Sequence, residues 1–455
     1  MSAAAEDNKH HDYSHRAVWS IALPMIISAV SAPLLGVVDT AVMGHLDGPW
    51  FLAAVAAGAA IFNVLYIGLN FLRMGTTGVA AQAFGARDNR ATTDSLAQPL
   101  ILAALLATTL LLFQVPLIEL GVQLLGTSEI TTPYLREYSY LRIWSAPASL
   151  ANLVIIGWLL GMQNARGPLI MMVATNGINV VLDLWLVVGL DMNVRGVAFA
   201  TLIAEYAGLL IGVVLVRKEL RKHTLIWVPA DWLQLKTYRR LLTINGHLLM
   251  RSAALMFTFA FITAQGARLG DVVLAANAVL LNFLYFYAYA QDGIAHAAEA
   301  LTGKAIGDRD AGGLTLAVNR SLFWTAIFTV LFTAVYWLAG THIIALITDI
   351  AAVRQIAGDY LFWLWLLPVA SGWCFLYDGV YVGMTRSREM MTVMVGSVLL
   401  IFLPTWYLLR NILSVDGNHA LWAALILFMA CRSVAMHLWY RRMHVAIMRG
   451  RQSTA

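Results

Sequence analysis

The chain has few charged residues, few cysteines and none of the common signatures of a membrane-embedded enzyme. Only 12% of its 455 residues are charged and 60% are hydrophobic, whereas soluble domains carry about 25% charged residues. This composition excludes a soluble enzyme, a disordered chain, a collagen and a nucleic-acid-binding domain. The two cysteines, Cys374 and Cys431, lie in apolar segments and support neither a disulfide framework nor a cysteine metal site.

Motifs for enzymatic chemistry are also missing from the apolar segments. They contain no paired-aspartate magnesium motif, no His-x-x-x-His motif and no phosphate loop. We therefore expect neither an enzyme nor an ATP-driven pump, and no cofactor beyond a coupling ion.

Long apolar runs fill the chain instead. Glycine, proline and charged residues divide it into twelve predicted helices, at 16–45, 50–84, 94–119, 132–163, 167–190, 194–217, 239–269, 272–305, 312–339, 351–384, 388–411 and 419–442. The first run, Ala17 to Gly44, is too long for a signal peptide, so we interpret it as a retained span. The fold class predicted is an all-α polytopic membrane protein.

The longest polar stretch, Arg217 to Arg240, separates six helices from six. The domains predicted are a tail at 1–15, an N-lobe at 16–217, a linker at 218–238, a C-lobe at 239–442 and a tail at 443–455. Lysine and arginine sit mainly on one side of the predicted membrane. With the N-terminus inside, the outer segments hold only Arg136, Arg195, Arg268, Arg354 and Arg410. Both termini are therefore expected to be cytoplasmic.

The two halves repeat each other at one constant offset. Gly44 matches Gly266, the stretch 83–88 matches 305–310, and the stretch 161–166 matches 383–388. Six helices per half give both halves the same orientation, so we expect lobes related by a pseudo-twofold axis along the membrane normal, as in transporters. Gene duplication that yields only a stable bundle is the alternative.

Four polar residues of the first half have mostly apolar residues at the equivalent positions of the second half: Asp39, Asn179, Asp183 and Thr201. A charge at a helix centre costs about 2.5–3.5 kcal/mol, so each is a functional candidate. Asn179 and Asp183 are four residues apart on one helix face. Asp39 falls roughly 9 Å, and Asp183 and Thr201 roughly 12 Å, below the outer helix ends, so we expect the oxygens of the four groups at similar depth. Their oxygens suit Na⁺ or a proton shared between carboxylates. A structural polar cluster is the alternative.

Helix one also carries Pro24 and Pro33, and each deprives the carbonyl four residues earlier of its donor. A bend that responds to protonation of Asp39 and a static kink are both open.

The second half has a different set of buried charges: Arg251, Asp292, His296, Glu299 and Asp378. The acids and the histidine of helix eight share a face, and we expect Arg251 to neutralise one of them. A substrate-facing or proton-relay role and an internal ion-pair network are both open. To a further group we assign structural or interfacial roles: Arg73, Arg142, Glu205 and Arg432.

The sequence resembles the multidrug and toxic compound extrusion (MATE) family over nearly its whole length. The resemblance is carried by the Pro24 to Asp39 segment, the run 36–45 and the trio Asn179, Asp183 and Thr201. The runs 72–78, 81–86 and 145–153 resemble its DinF branch. The resemblance implies a two-lobe antiporter that exports amphipathic or cationic drugs in exchange for H⁺ or Na⁺.

By that resemblance Asp39 is the main coupling acid, the trio completes the cation site and Pro24 marks the bend. Asp378 matches a second-lobe acid of other branches of the family. Those branches also carry a glutamate on the seventh helix, and this glutamate has no counterpart here. The DinF resemblance favours H⁺, although the oxygens expected of a Na⁺ site are all present. We expect a monomer in the bacterial inner membrane. A flippase for lipid-linked intermediates is the alternative, and it would show a strongly cationic cavity and extra helices.

Overall fold

The computed structural model describes residues 12–44, 48–225 and 235–452, and within these residues the regular structure is entirely helical. Eleven segments of the described chain are long and apolar enough to cross a membrane. Together with the first described helix, α1 (His15–Gly44), these segments correspond to the twelve predicted helices. The predicted all-α, twelve-helix fold is confirmed.

In the described part of the chain ten α-helices begin before residue 269, and some predicted spans contain two of them. They are α1 (His15–Gly44), α2 (Pro49–Leu69), α3 (Phe71–Gly85), α4 (Asn89–Leu112), α5 (Gln114–Leu125), α6 (Thr131–Arg142), α7 (Ala146–Gly161), α8 (Arg166–Asp183), α9 (Asn193–Lys222) and α10 (Leu235–Arg268). Seven follow: α11 (Asp271–Gly307), α12 (Ala311–Ile347), α13 (Ala351–Asp359), α14 (Leu361–Gly383), α15 (Ser387–Ser397), α16 (Leu403–Tyr407) and α17 (Gly417–Gln452).

Prolines explain two places where one predicted helix is divided. The predicted helix 94–119 is interrupted at Phe113, three residues before Pro116. The predicted helix 132–163 passes through a 3₁₀ turn at Ile143–Ser145 just before Pro147. Each proline lacks the N–H that the carbonyl four residues earlier would use, and its ring crowds that carbonyl.

The two halves share backbone features at matching places. Arg87 and Arg309 follow α3 and α11 with φ of 55° and 52°, the left-handed conformation that ends many helices. The next residues, Asp88 and Asp310, cap the following helices, and each carboxylate accepts a hydrogen bond from a backbone N–H three residues on, at 2.9 and 3.0 Å. The repeated sequence 83–88 and 305–310 is thus a repeated helix stop followed by a repeated helix start.

The chain packs as two compact units. The N-terminal unit comprises Leu23–Asn245, and the C-terminal unit comprises the residues from Gly246 onward together with the described residues before Leu23. Within the C-terminal unit, Trp19 packs edge-on against Trp324 at 5.0 Å, and Trp324 Nε1 donates to His15 Nδ1 at 3.1 Å. The predicted lobe boundaries follow helix ends and stay predictions.

Candidate functional site

Three of the four predicted coupling residues meet in the N-terminal unit. Asn179 and Asp183 lie on adjacent turns of α8, both almost fully buried, and Thr201 faces them from α9. In the amide orientation that satisfies both of its ends, Asn179 Nδ2 donates to Asp183 Oδ2 at 2.7 Å and Asn179 Oδ1 accepts from Thr201 Oγ1 at 3.2 Å. We call these three residues the amide–carboxylate cluster.

The cluster sits where α8 changes geometry. Asp183 is the last residue of α8, and the helix continues as a π-helical segment, Leu184–Gly189. Such segments lie frequently at functional sites, because an extra residue per turn re-aims the side chains. The carboxylate, amide and hydroxyl oxygens are the hard ligands that Na⁺ or Mg²⁺-like cations prefer, and the carboxylate is equally able to take a proton.

The predicted contributions of α1 are only partly within the described structure. The side chains of Asp39 and Pro33 lie outside the described residues, although both positions belong to α1. The helix runs continuously through Pro24, and Ser28 Oγ donates to the carbonyl of Pro24 at 2.8 Å. The role of Pro24 as a bend stays a prediction.

A cavity of about 410 Å³ opens beside the cluster in the same unit. Its polar wall comprises Asn63, Asn70, Asn152, Asn176, Tyr66 and Glu205, and Met171 and Met172 line its apolar wall. Asn176 lies one turn before Asn179 on α8, and Glu205 lies one turn after Thr201 on α9. Four residues of helix rise about 6 Å, so the cavity and the cluster are neighbours on two helices.

Glu205 is the carboxylate of this cavity. Asn152, on α7, donates from Nδ2 to Glu205 Oε2 at 2.9 Å and to the Glu205 carbonyl at 3.0 Å. Gly208, one turn further along α9, allows the helices to approach, since a Cβ there would lie 2.3 Å from Thr175 Oγ1. The asparagine therefore fixes both the backbone and the side chain of Glu205.

Sequence reasoning missed the cavity role of Glu205 and Asn152. The internal repeat held a signal for Asn152, which matches the apolar Cys374 at the common offset. The same comparison that singled out Asn179 and Asp183 would therefore have singled out Asn152. Glu205 needed its position in three dimensions, because one acid near the middle of a helix does not show whether it faces a cavity.

The C-terminal unit places its buried acid between two arginines. Asp378 Oδ2, on α14, accepts a hydrogen bond from Arg432 Nη2 at 3.0 Å and another from Arg251 Nη2. Arg432 is 1% exposed and Asp378 is 7% exposed. We call these three residues the arginine cluster. The prediction that Arg251 neutralises an acid of the predicted helix 272–305 was therefore wrong, because its partner is Asp378.

The other predicted acids of the C-terminal unit lie on α11. The carboxylate of Glu299 is buried and lies 3.2 Å from His296 Nδ1, one turn away. Asp292 lies further along the same helix, at a part-buried position. For Arg251 and Asp378 the structure thus shows an internal ion pair. A substrate-facing or proton-relay role of Arg251, Asp292, Glu299 and Asp378 stays a prediction.

Hydrogen bonds also lower the pKa of an acid outside the membrane-spanning helices, Asp416. Asp416 lies just before α17, and its Oδ2 accepts from Tyr360 Oη at 2.9 Å and from the backbone N–H groups of Asn418 and His419 at 3.0 and 3.1 Å. Burial alone would raise the pKa of Asp416, but these bonds to the charged form lower it. Asp416 therefore caps α17 as a carboxylate.

Comparisons with known proteins place the chain among transporters. The MatE family model matches it twice, over residues 24–185 and 248–408, once in each half. DNA damage-inducible protein F of Escherichia coli K12 is 45% identical over 433 residues, which are 94% of this chain and 92% of that protein. Multidrug export protein MepA of Staphylococcus aureus is 21% identical and covers 93% of each chain.

A solved structure shows the same fold. The crystal structure of MATE in the bent conformation matches with a TM-score of 0.87 at 20% sequence identity, over 95% of this chain and 96% of that one.

Proposed function

Because the chain belongs to the MatE family of transporters, we propose that it is a cation-coupled multidrug efflux antiporter. It is a multi-pass membrane protein and not an enzyme. The observation that carries the proposal is that a buried cluster able to bind a cation and a cavity of about 410 Å³ lie on neighbouring turns of α8 and α9. Such a volume falls in the range of about 300–1,000 Å³ typical of small-molecule sites.

The proposed coupling site is the amide–carboxylate cluster completed by Asp39, with Pro24 and Pro33 as the bend-forming residues of α1. Protonation of Asp183 would replace an acceptor by an O–H donor and so change its bond to Asn179. Asn179 also contacts Thr201, so one proton changes the pairing between α8 and α9. This favours H⁺ as the coupling ion. Na⁺ bound by the same oxygens is the alternative ion.

The proposed substrates are amphipathic or cationic compounds. Methionines offer a polarizable surface that adapts to different shapes, and asparagines offer both donors and acceptors. The relative from Staphylococcus aureus is named for multidrug export. We further propose that the protein acts as a monomer in the bacterial inner membrane, with both termini in the cytoplasm.

The cavity does not support the flippase alternative. A carrier of lipid-linked phosphates would need a cationic cavity, since phosphate is recognised by arginine and lysine. Among the residues that the structure describes, those that line this cavity include Glu205 but neither lysine nor arginine.

Transport by the purified protein in vesicles tests the proposal. An imposed proton gradient is expected to drive export of a cationic dye, and a Na⁺ gradient without a proton gradient is not. Asp183→Asn and Asp39→Asn are expected to abolish the coupled flux, because an amide cannot exchange a proton. Asp191→Asn makes the same chemical change at an exposed position outside the cluster and is the matched control, which is expected to keep the coupled flux.

Undiminished gradient-driven export in both aspartate variants would overturn the coupling mechanism. Export driven equally by either gradient in the wild-type protein would overturn the preference for H⁺.

A further inference from the structure

Glu205 is the acid that lines the cavity, and its direct hydrogen-bond partner is a neutral amide. Its carboxylate has an amide partner, Asn152, and no ion pair within 4.0 Å joins it to any described residue. Arg142 acts on Glu205 through its charge from beyond ion-pair distance. Its direct contacts are with Tyr138, to whose Oη it donates, and with Phe62, whose ring centre lies 4.9 Å from the guanidinium carbon. A carboxylate that lines a cavity without a directly paired cation is costly to keep charged while the cavity is empty.

The surroundings of Glu205 fit an organic cation. Met171 and Met172 provide apolar contact on one wall, Tyr66 provides an aromatic ring, and the asparagines are neutral. None of the lining side chains would repel a positive charge. An anion would meet Glu205 with no basic residue in the lining to offset the repulsion.

We propose that Glu205 is the residue that selects positively charged substrates, and that it exchanges a bound proton for the substrate's charge. Asn152 acts as a positioning residue, because its amide holds Oε2 of Glu205 and also bonds to the Glu205 carbonyl. This inference rests on the proposed function, since it takes the cavity beside the amide–carboxylate cluster as the substrate site.

The exchange balances in charge and in protons. In the empty cavity Glu205 carries a proton as a neutral carboxylic acid. When a permanent cation binds, the acid O–H bond breaks, the proton leaves to the side from which the cation entered, and the carboxylate pairs with the cation. Protons from the other side reverse the step and release the cation. A neutral substrate leaves the proton of Glu205 in place.

Binding to the full chain in lipid nanodiscs tests this inference with two probes of nearly equal shape. N-methylacridinium is a permanent cation, and acridine is neutral near neutral pH. Glu205→Gln is expected to weaken binding of N-methylacridinium by about tenfold, as for loss of one partly buried charge pair, and to leave acridine within about twofold. Glu205→Asp keeps the charge and is expected to recover most of the affinity for the cation.

Glu219→Gln is the matched control. Glu219 lies on the same helix, and its carboxylate pairs with Lys222 at 3.1 Å, away from the cavity. Equal weakening of both probes by Glu205→Gln would show a merely structural role and overturn the inference, and so would unchanged affinity for both.

A second measurement covers the case in which Glu205→Gln does not fold. In the Asp183→Asn variant, affinity for N-methylacridinium is expected to fall as the pH is lowered, because protons compete at Glu205. Affinity that does not change with pH would overturn the inference. Selective binding with no gradient-driven transport in the wild-type protein would leave this inference intact and overturn the proposed function instead.

Discussion

The two halves of this protein share a backbone plan and differ in how they treat a buried carboxylate. In the C-terminal unit Asp378 lies between Arg251 and Arg432. In the N-terminal unit the polar partner of Glu205 is the neutral amide of Asn152. A carboxylate between two guanidinium groups would leave two buried charges unpaired if it were protonated, whereas an amide can partner either form of an acid.

The difference shows where duplication preserved structure and where it allowed new chemistry. The helix stops at Arg87 and Arg309 and the caps at Asp88 and Asp310 are common to both halves, because any helix needs its ends satisfied. Buried charges have no such general role. The two halves accordingly pair their buried carboxylates differently, with guanidinium groups for Asp378 and with an amide for Glu205.

Removal of Asp378 is expected to have the largest effect on stability. Asp378→Asn leaves two arginines buried without their counter-ion, which costs about 3–5 kcal/mol. Asp183→Asn changes another buried acid of the N-terminal unit, which contacts the amide of Asn179, and is expected to cost about 1 kcal/mol. Thermal unfolding in detergent measures both. Equal losses would show that the two halves hold their acids in the same way.

Helix packing at the cavity is expected to have the next largest effect. Gly208→Ala forces a Cβ to within 2.3 Å of Thr175 Oγ1, and such overpacking costs about 1–3 kcal/mol. Dye affinity should fall as well, since Asn152 and Glu205 meet beside this glycine. Gly177→Ala on α8 is the control: a Cβ there has no neighbour within 4 Å, so its stability should stay equal or rise by about 0.5–1 kcal/mol. Wild-type stability in Gly208→Ala would contradict the close approach.

The shared caps should respond alike. Asp88→Ala and Asp310→Ala each remove a carboxylate that accepts from a helix N–H, and each is expected to cost about 1 kcal/mol. Thermal unfolding of the two variants provides the comparison, with Asp88→Asn and Asp310→Asn as controls that keep a capping oxygen. A clear loss of thermal stability in only one of the two alanine variants would contradict the equivalence of the two helix starts.

The smallest effect concerns Asp416 and acid pH. Its pKa is lowered in the folded protein, so it adds stability above its ordinary value of 3.8 and loses that contribution as the pH falls through the lower folded value. The contribution is small because the residue is exposed. Asp416→Asn should therefore unfold at a lower temperature than the wild-type protein near neutral pH, and this gap should narrow in acid. Asp191→Asn, a change in the corresponding loop of the other half, is the control, and a gap that widens in acid would contradict the assignment.

Sequence alone was sufficient for the features that depend on local pattern. Asn179 and Asp183 were expected to act together because residues four apart share a helix face, and the structure joins them. Thr201 was expected from its depth below the outer helix end, which is set by a constant rise per residue. The role of Asp39 was also predicted, and it stays a prediction because its side chain lies outside the described residues.

Other features depended on packing between helices far apart in the chain. Arg251 was expected to neutralise an acid of the predicted helix 272–305, yet its partner is Asp378, 127 residues away in the sequence. Glu205 was given a structural role, yet it lines a cavity together with residues from several helices. No spacing rule links such residues, because rotation and tilt of each helix decide which of its faces meet.

The sequence by itself determined the twelve spans, the duplication and the contrast between the polar groups of the two halves. Hydropathy and helix periodicity are local properties, and a membrane requires every span to satisfy its own backbone. Only the tertiary structure decided which buried charge has a partner and which faces a cavity. Those outcomes follow from contacts between helices, because the rotation and tilt of each helix decide whether a buried charge meets a side chain of opposite charge or a cavity.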